Sequence, residues 1–368
     1  MPELEIIFIA IVLVQACILP GVFLVLRGMS LMSDAISHAS LLGIVIAFFY
    51  VRSLESPLLI LAAGCTGVIT VLITEWLIST KRLKEDAAIG LVFPLFFSIG
   101  VILITKYMGS IHIDSDCVLF GEIAFAPFER IVLFSYDLGP AALWIMSIIL
   151  AMNALFIVIF YKELKLSTFD KALASALGFS PVLIHYGLMT MTSITAVGAF
   201  ESVGSILVVA LMITPPATAY LLTTRLSRML VISSVSGILS VLIGVAVAFS
   251  FDLSISGSIV SASGALFVIA LLLSPKSGLI FKILQAQDNK LMFSARMLLV
   301  QLLDHEGKAN ESIENTISNM IIHMSWPEKF AKKVARYAVQ KNYITRSGNK
   351  LNLTSFGREL ARQTLQLT

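Results

Sequence analysis

Residues 6–51 read IIFIAIVLVQACILPGVFLVLRGMSLMSDAISHASLLGIVIAFFYV, two apolar runs over 6–26 and 32–51 with a short break at Arg27-Gly28-Met29-Ser30-Leu31. A helix needs about 20 mainly apolar residues to cross the hydrocarbon layer, and each run is that long. The first follows Glu3 and Glu5 rather than a basic flank and leads into further apolar runs, so it reads as a membrane span and not a removable signal peptide. The pattern continues over 57–79, 87–106, 134–161, 181–200, 203–222, 229–250 and 257–273, about nine spans in all. Ala199-Phe200-Glu201-Ser202 leaves almost no loop between two of them, so one of that pair is expected to be broken or re-entrant.

Composition agrees. The 368 residues are 57% hydrophobic and 13% charged, with a mean hydropathy of +0.92; soluble domains carry about 25% charge, which excludes a soluble fold. Charge is unevenly spread. Residues 1–285 hold 14 Lys/Arg and 16 Asp/Glu, whereas 286–368 hold 12 and 7. The expected organisation is therefore a membrane domain over 1–285 and a basic, separate domain over 286–368. Of the three cysteines, Cys17 and Cys65 lie in apolar runs where a thiol acts as a small hydrophobe, which leaves Cys117 to meet solvent.

Loop charge sets direction. Lys81, Arg82 and Lys84, then Lys162, Lys165 and Lys171, then Arg225 and Arg228, share one side with Arg27 and the basic tail; the other side has Arg52, Lys106 and Arg130. Positive loops stay in the cytoplasm, so the N-terminus is expected outside and the C-terminus inside.

The second span carries a polar stripe, Ser30, Ser33, Asp34, Ser37 and His38, at offsets that share one helical face. At 1.5 Å per residue His38 lies about 12 Å beyond Ser30, near the middle of a layer about 30 Å thick. An ionisable group at that depth faces a water-filled path, a cation or a partner helix. Asp34 and His38, one turn apart, either converge on a metal ion or hydrogen-bond to serines of a neighbouring helix. Glu75 reads as a snorkelling or ion-paired residue, and Glu201 as a pathway residue or an outer-loop carboxylate. In the loop after the fourth span, His112, Asp114 and Asp116 alternate onto one side of an extended strand, suiting capture of a divalent ion or making a solvated acidic turn. There is no GxxxxGK[ST] stretch, so the chain is not expected to be the ATP-hydrolysing part of a machine, and an energy source must come from a partner.

Several segments together resemble the integral-membrane permeases of zinc/manganese-type ABC importers: residues 21–39 (GVFLVLRGMSLMSDAISHA), 85–90 (EDAAIG), 119–123 (LFGEI) and 204–219 (GSILVVALMITPPATA), running on to Thr224-Arg225-Leu226. The resemblance covers most of residues 10–275. It implies an all-α polytopic permease fold, a second permease, identical or homologous, two cytoplasmic ATPases and an extracytoplasmic metal-binding protein. Asp34 and His38 stand at the family's transmembrane metal ligands, with Mn2+, Zn2+ or Fe2+ as cargo and no permanently bound cofactor. The bacterial cytoplasmic membrane is the implied location. One departure is Cys117, where the family commonly has histidine. Asp170-Lys171-Ala172-Leu173-Ala174-Ser175-Ala176-Leu177-Gly178 is similar to the short cytoplasmic helix by which such permeases touch their ATPase, with Asp170, Ala174, Ala176 and Gly178 as its marked positions; an ordinary connecting helix is the alternative.

In the tail, helices are expected over 294–304, 311–322 and 327–340, a hairpin around Ser347-Gly348-Asn349, and a closing helix from Phe356. This order resembles an α+β winged-helix domain, and residues 353–361 (LTSFGRELA) look like the end of metal-responsive repressors. Lys329, Lys332, Lys333, Arg336 and Lys341 make the 327–340 region basic enough to approach phosphates. A membrane-tethered domain also needs such charge beside anionic lipid or an ATPase, which disfavours nucleic acid as the partner. The readings are thus an importer permease, a membrane-tethered metal-responsive regulator, or a secondary metal carrier without ATPase.

Overall fold

The computed structural model describes residues 2–52, 56–107, 123–133, 136–274, 278–308, 315–316 and 323–366, and the chain divides into two compact units, Met1–Pro275 and Lys276–Thr368. Among the described residues of the first unit, nine helices are long and apolar enough to cross a membrane. In chain order they are α1 (Pro2–Arg27), α2 (Ser30–Val51), α3 (Pro57–Ser79), α4 (Glu85–Tyr107), α5 (Ala141–Ile159) and, after the short α6 (Tyr161–Phe169) and α7 (Lys171–Ala176), α8 (Pro181–Val203), α9 (Ser205–Leu222), α10 (Leu226–Phe251) and α11 (Ile255–Leu273). Their starts follow capping chemistry. Ser56 accepts from Leu58 N with Pro57 in the first turn, and Ser180 accepts from Leu183 N ahead of Pro181; proline fits there because its missing N–H has no intrahelical partner anyway.

Two expectations are corrected. The run expected from 134 becomes helical only at Ala141. Ahead of it β1 (Arg130–Leu133) and β2 (Tyr136–Pro140) pair antiparallel; Gly139 takes φ +94° at the end of β2 and Pro140 sits at the N-cap, so the helix starts only there, which hydropathy does not register. Nor is either helix of the 181–222 pair broken. Ala199 to Ser202 continue α8, and Gly204 alone separates it from α9, with φ 77° and ψ 163° that glycine adopts without strain.

α1 is the central helix, packed on α5, α9 and α10, and α2 packs on α3 and α4. Prolines within helices leave carbonyls four residues earlier without their N–H partners. Pro20 frees the carbonyl of Ala16, and the buried Asn153 of α5 donates Nδ2–H to that oxygen at 3.0 Å and to Thr195 Oγ1 at 2.8 Å. Pro216 likewise frees the carbonyl of Met212, which lies so close to α1 that a Cβ on Gly21 would stand 2.1 Å from its oxygen.

The second unit contains α12 (Leu279–His305), α13 (Glu328–Gln340), an antiparallel hairpin of β3 (Ile344–Ser347) and β4 (Lys350–Leu353), and α14 (Ser355–Gln366). Leu298, Leu299, Leu302, Val334, Ile344 and Leu351 form its core. The boundary expected after Gln285 falls inside α12, which is also longer than the expected 294–304 helix. The 311–322 helix lies outside the described residues, apart from Asn315 and Thr316.

Candidate metal path

The polar stripe of α2 divides into two rows. Ser33 and Ser37 turn into the bundle: Ser33 Oγ donates to Met212 Sδ at 3.0 Å, and Ser37 Oγ donates to the Ser33 carbonyl at 3.0 Å. Asp34 and His38 form the adjoining row at the margin. His38 Nε2 stands 3.3 Å from Asp34 Oδ1, and their side chains remain 26% and 37% exposed. The ring of His38 lies against Phe93 and Phe97 of α4, with centroids at 5.8 and 5.6 Å. Oxygen and nitrogen donors thus converge, one turn apart, beside an apolar wall. Among the described residues no group of three or more His, Cys, Asp or Glu gathers that could hold a metal ion, so this pair stands as two candidate donors.

The other expected ligands do not join them. His112, Asp114 and Asp116 lie outside the described residues, as does Cys117, and Glu201 falls in the last turn of α8 with its side chain outside the description.

The segment marked as an ATPase contact folds as α7. Asp170 caps it by accepting from Leu173 N at 2.9 Å, and Gly178 closes it with φ +85° while Phe179 N donates to the Ala174 carbonyl. Its faces are not those expected from the small residues alone. Ala174 is fully buried against the chain's own bundle, whereas Ala176, Leu173 and Leu177 face outward, the two leucines 47% and 58% exposed. A partner would meet the leucines, with Ala176 between them, and Ala174 is structural.

A second polar cluster was not anticipated from the sequence. Arg27, the last residue of α1, donates from Nε to Thr168 Oγ1 at 3.2 Å and from Nη2 to Ser167 Oγ at 3.0 Å, both on α6. Its Nη1 stands 3.0 Å from Nδ1 of His185 on α8, and His185 Nε2 stands 2.7 Å from Glu75 Oε1 on α3. A guanidinium only donates, so Nδ1 accepts and the ring proton sits on Nε2, facing the carboxylate. Four helices are joined at one point. The cluster borders a cavity of about 310 Å³ that Glu85 and Lys171 also line. Glu75 thus faces an imidazole of α8 at close range, while His185, a single imidazole one turn beyond Pro181, gave no spacing signal.

Comparison with known proteins places these features. Residues 4–274 match the model of the ABC 3 transport family. The zinc transport system membrane protein TroD of Treponema pallidum is 44% identical over 365 residues, 99% of each chain. The manganese transport system membrane protein MntD of Bacillus subtilis is 44% identical over 267 residues, 73% of this chain and 90% of its own. Among solved structures, PsaBC from Streptococcus pneumoniae in complex with Fab superposes with a TM-score of 0.61 at 33% identity, covering 74% of this chain and 92% of the other.

Proposed function

The chain belongs to the ABC 3 transport family, and we propose that it is the membrane permease of an ATP-driven importer for a divalent transition metal ion. One observation carries the cargo assignment: Asp34 and His38 converge, about 6 and 12 Å into a membrane-spanning helix, where a carboxylate needs a cation or partner to offset its desolvation. Imidazole and carboxylate suit Mn2+, Zn2+ and Fe2+ alike, and the names of TroD and MntD divide between zinc and manganese.

Two ligands do not complete a coordination shell, which supports a second permease whose own Asp and His would supply the rest. Hydrolysis of ATP belongs to separate cytoplasmic subunits, which α7 meets through Leu173 and Leu177, and an extracytoplasmic protein delivers the ion. The distribution of Lys and Arg supports an outside N-terminus and a cytoplasmic tail. We read that tail as a winged-helix-like domain with an assembly or regulatory role at the ATPases.

The test is ATP-dependent uptake of Mn2+ and Zn2+ by the complex reconstituted in vesicles. Asp34→Asn or His38→Ala abolishes uptake while leaving membrane insertion and co-purification intact. Near-normal uptake by both variants sinks the assignment.

A further inference from the structure

We propose that Arg27 is the positioning residue that transmits movement of the ATPase-contacting segment to the metal-binding helix. The inference rests on reading α7 as the ATPase contact; what it adds is the mechanical route from there to Asp34 and His38.

That route can be followed bond by bond. α7 is held to α6 by Asp170, which ends one helix and caps the next, so a push on α7 is carried into Ser167 and Thr168. Both hydroxyls accept from Arg27, whose third donor group meets His185. A guanidinium presents its donors in a rigid planar fork, so it holds several partners in fixed relative positions, as the flexible ammonium of a lysine does not. The connection from Arg27 to α2 is equally stiff. Gly28 takes φ +77° and donates its N–H to the Val25 carbonyl, Met29 donates to Leu24 O at 2.9 Å, and Met32 donates back to Met29 O at 3.1 Å. Met29 itself is buried. α1 and α2 are therefore joined through a hydrogen-bonded elbow rather than a slack loop. Asp34 lies four residues into α2, about 6 Å along its axis from Ser30.

The opposite side of the fork is anchored. His185 passes the contact on to Glu75, so Arg27 is braced against α3 and α8 while it grips α6. The carboxylate balances the guanidinium charge in a partly buried place, which permits an arginine there at all. A residue serving only to close the cytoplasmic end needs neither the three-way fork nor the α6 hydroxyls. Their combination distinguishes a transmitting contact from a plug.

The experiment uses the full complex in vesicles and measures metal ions transported per ATP hydrolysed, beside the amount of ATPase that co-purifies. Arg27→Gln removes the fork. The Ser167→Ala, Thr168→Val double variant removes only its grip on α6 and leaves the brace on His185 and Glu75, so it remains informative if Arg27→Gln fails to assemble. Both are expected to keep normal ATPase co-purification and basal hydrolysis while ions per ATP fall at least tenfold; Arg27→Lys is expected not to rescue. An unchanged ratio in the double variant overturns the proposal. Loss of co-purification in that variant also overturns it, because the hydroxyls would then shape docking instead of transmission. Leu173→Glu, Leu177→Glu tests the underlying reading separately: full ATPase co-purification there removes α7 as the contact, whatever the Arg27 variants show.

Discussion

Replacing Gly21 with alanine tests the packing of α1 on α9, which also touches α2 through Met212 and Ser33. A Cβ at position 21 would stand 2.1 Å from the carbonyl oxygen of Met212 and 3.0 Å from its carbon, about 1.3 Å short of the 3.4 Å at which ordinary contact begins. The obstruction is backbone, not a side chain that can swing aside. It is also a carbonyl that Pro216 deprives of its intrahelical donor, so α9 has little freedom to withdraw it. α1 and α9 must therefore separate, and overpacking of this kind costs about 1–3 kcal/mol. That corresponds to a Tm lower by roughly 3–10 °C, measured on the detergent-solubilised protein. Gly264, where an added Cβ meets nothing within 4 Å, is the control and is expected to keep its Tm. Because Met212 Sδ also accepts from Ser33, one residue before Asp34, metal affinity should weaken together with stability. An unchanged Tm in Gly21→Ala would falsify the close approach and the reasoning built on it.

Asn153→Ala removes the donor to the carbonyl that Pro20 leaves free, at a cost of about 1–3 kcal/mol; in a Pro20→Ala background, where the helix supplies its own N–H, the same substitution should cost measurably less, and equal costs by chemical denaturation would refute the pairing. Ala174→Leu is expected to lower Tm, since the side chain enters the permease's own packing, whereas Ala176→Leu should leave Tm unchanged; the reverse order would place the faces of α7 wrongly. On the β1–β2 hairpin, the backbone N–H of Gly139, and after it Arg130, hold the Asp137 carboxyl below the usual carboxylate range. A depressed carboxylate stabilises above its unfolded pKa and loses that contribution as pH falls through the lower folded value. The hairpin's amides should accordingly lose exchange protection only below about pH 4, and Asp137→Asn should abolish that pH step.

The spans were legible because crossing a membrane imposes a length and an apolar composition on each helix, which a hydropathy reading measures directly. Failures came where something other than hydropathy decided. Asp137-Leu138-Gly139-Pro140 lies at the front of an apolar run, yet these residues belong to strand β2, and the helix starts only after Gly139 at positive φ and Pro140 at its N-cap. Ala199-Phe200-Glu201-Ser202 is polar enough to resemble a loop, but Gly204 alone makes the turn and the four residues stay helical. In the tail, α13 matched its expected limits closely because Pro327 marks its start.

The candidate site was legible to the extent that its residues share one helix. Asp34 and His38 lie four apart in one chain segment, so helical periodicity alone brings them within 3.3 Å. Arg27, Glu75, Ser167 and His185 come from four helices, and no spacing rule joins residues 48, 92 or 18 positions apart. Each has a bland reading when taken singly: an arginine at a helix end, a glutamate near a membrane face, a serine beside a basic loop, one histidine in an apolar run. Only the folded bundle shows that they meet at one point. The same logic assigns them different work. On the proposed reading, a cargo site must release its ion, which suits two ligands carried on a single helix. A contact proposed to carry force between helices must not let go, which suits a fork of donors whose partners sit on separate elements. That contrast is why uptake should respond to Asp34→Asn through lost binding, but to Arg27→Gln through a lower number of ions moved per ATP.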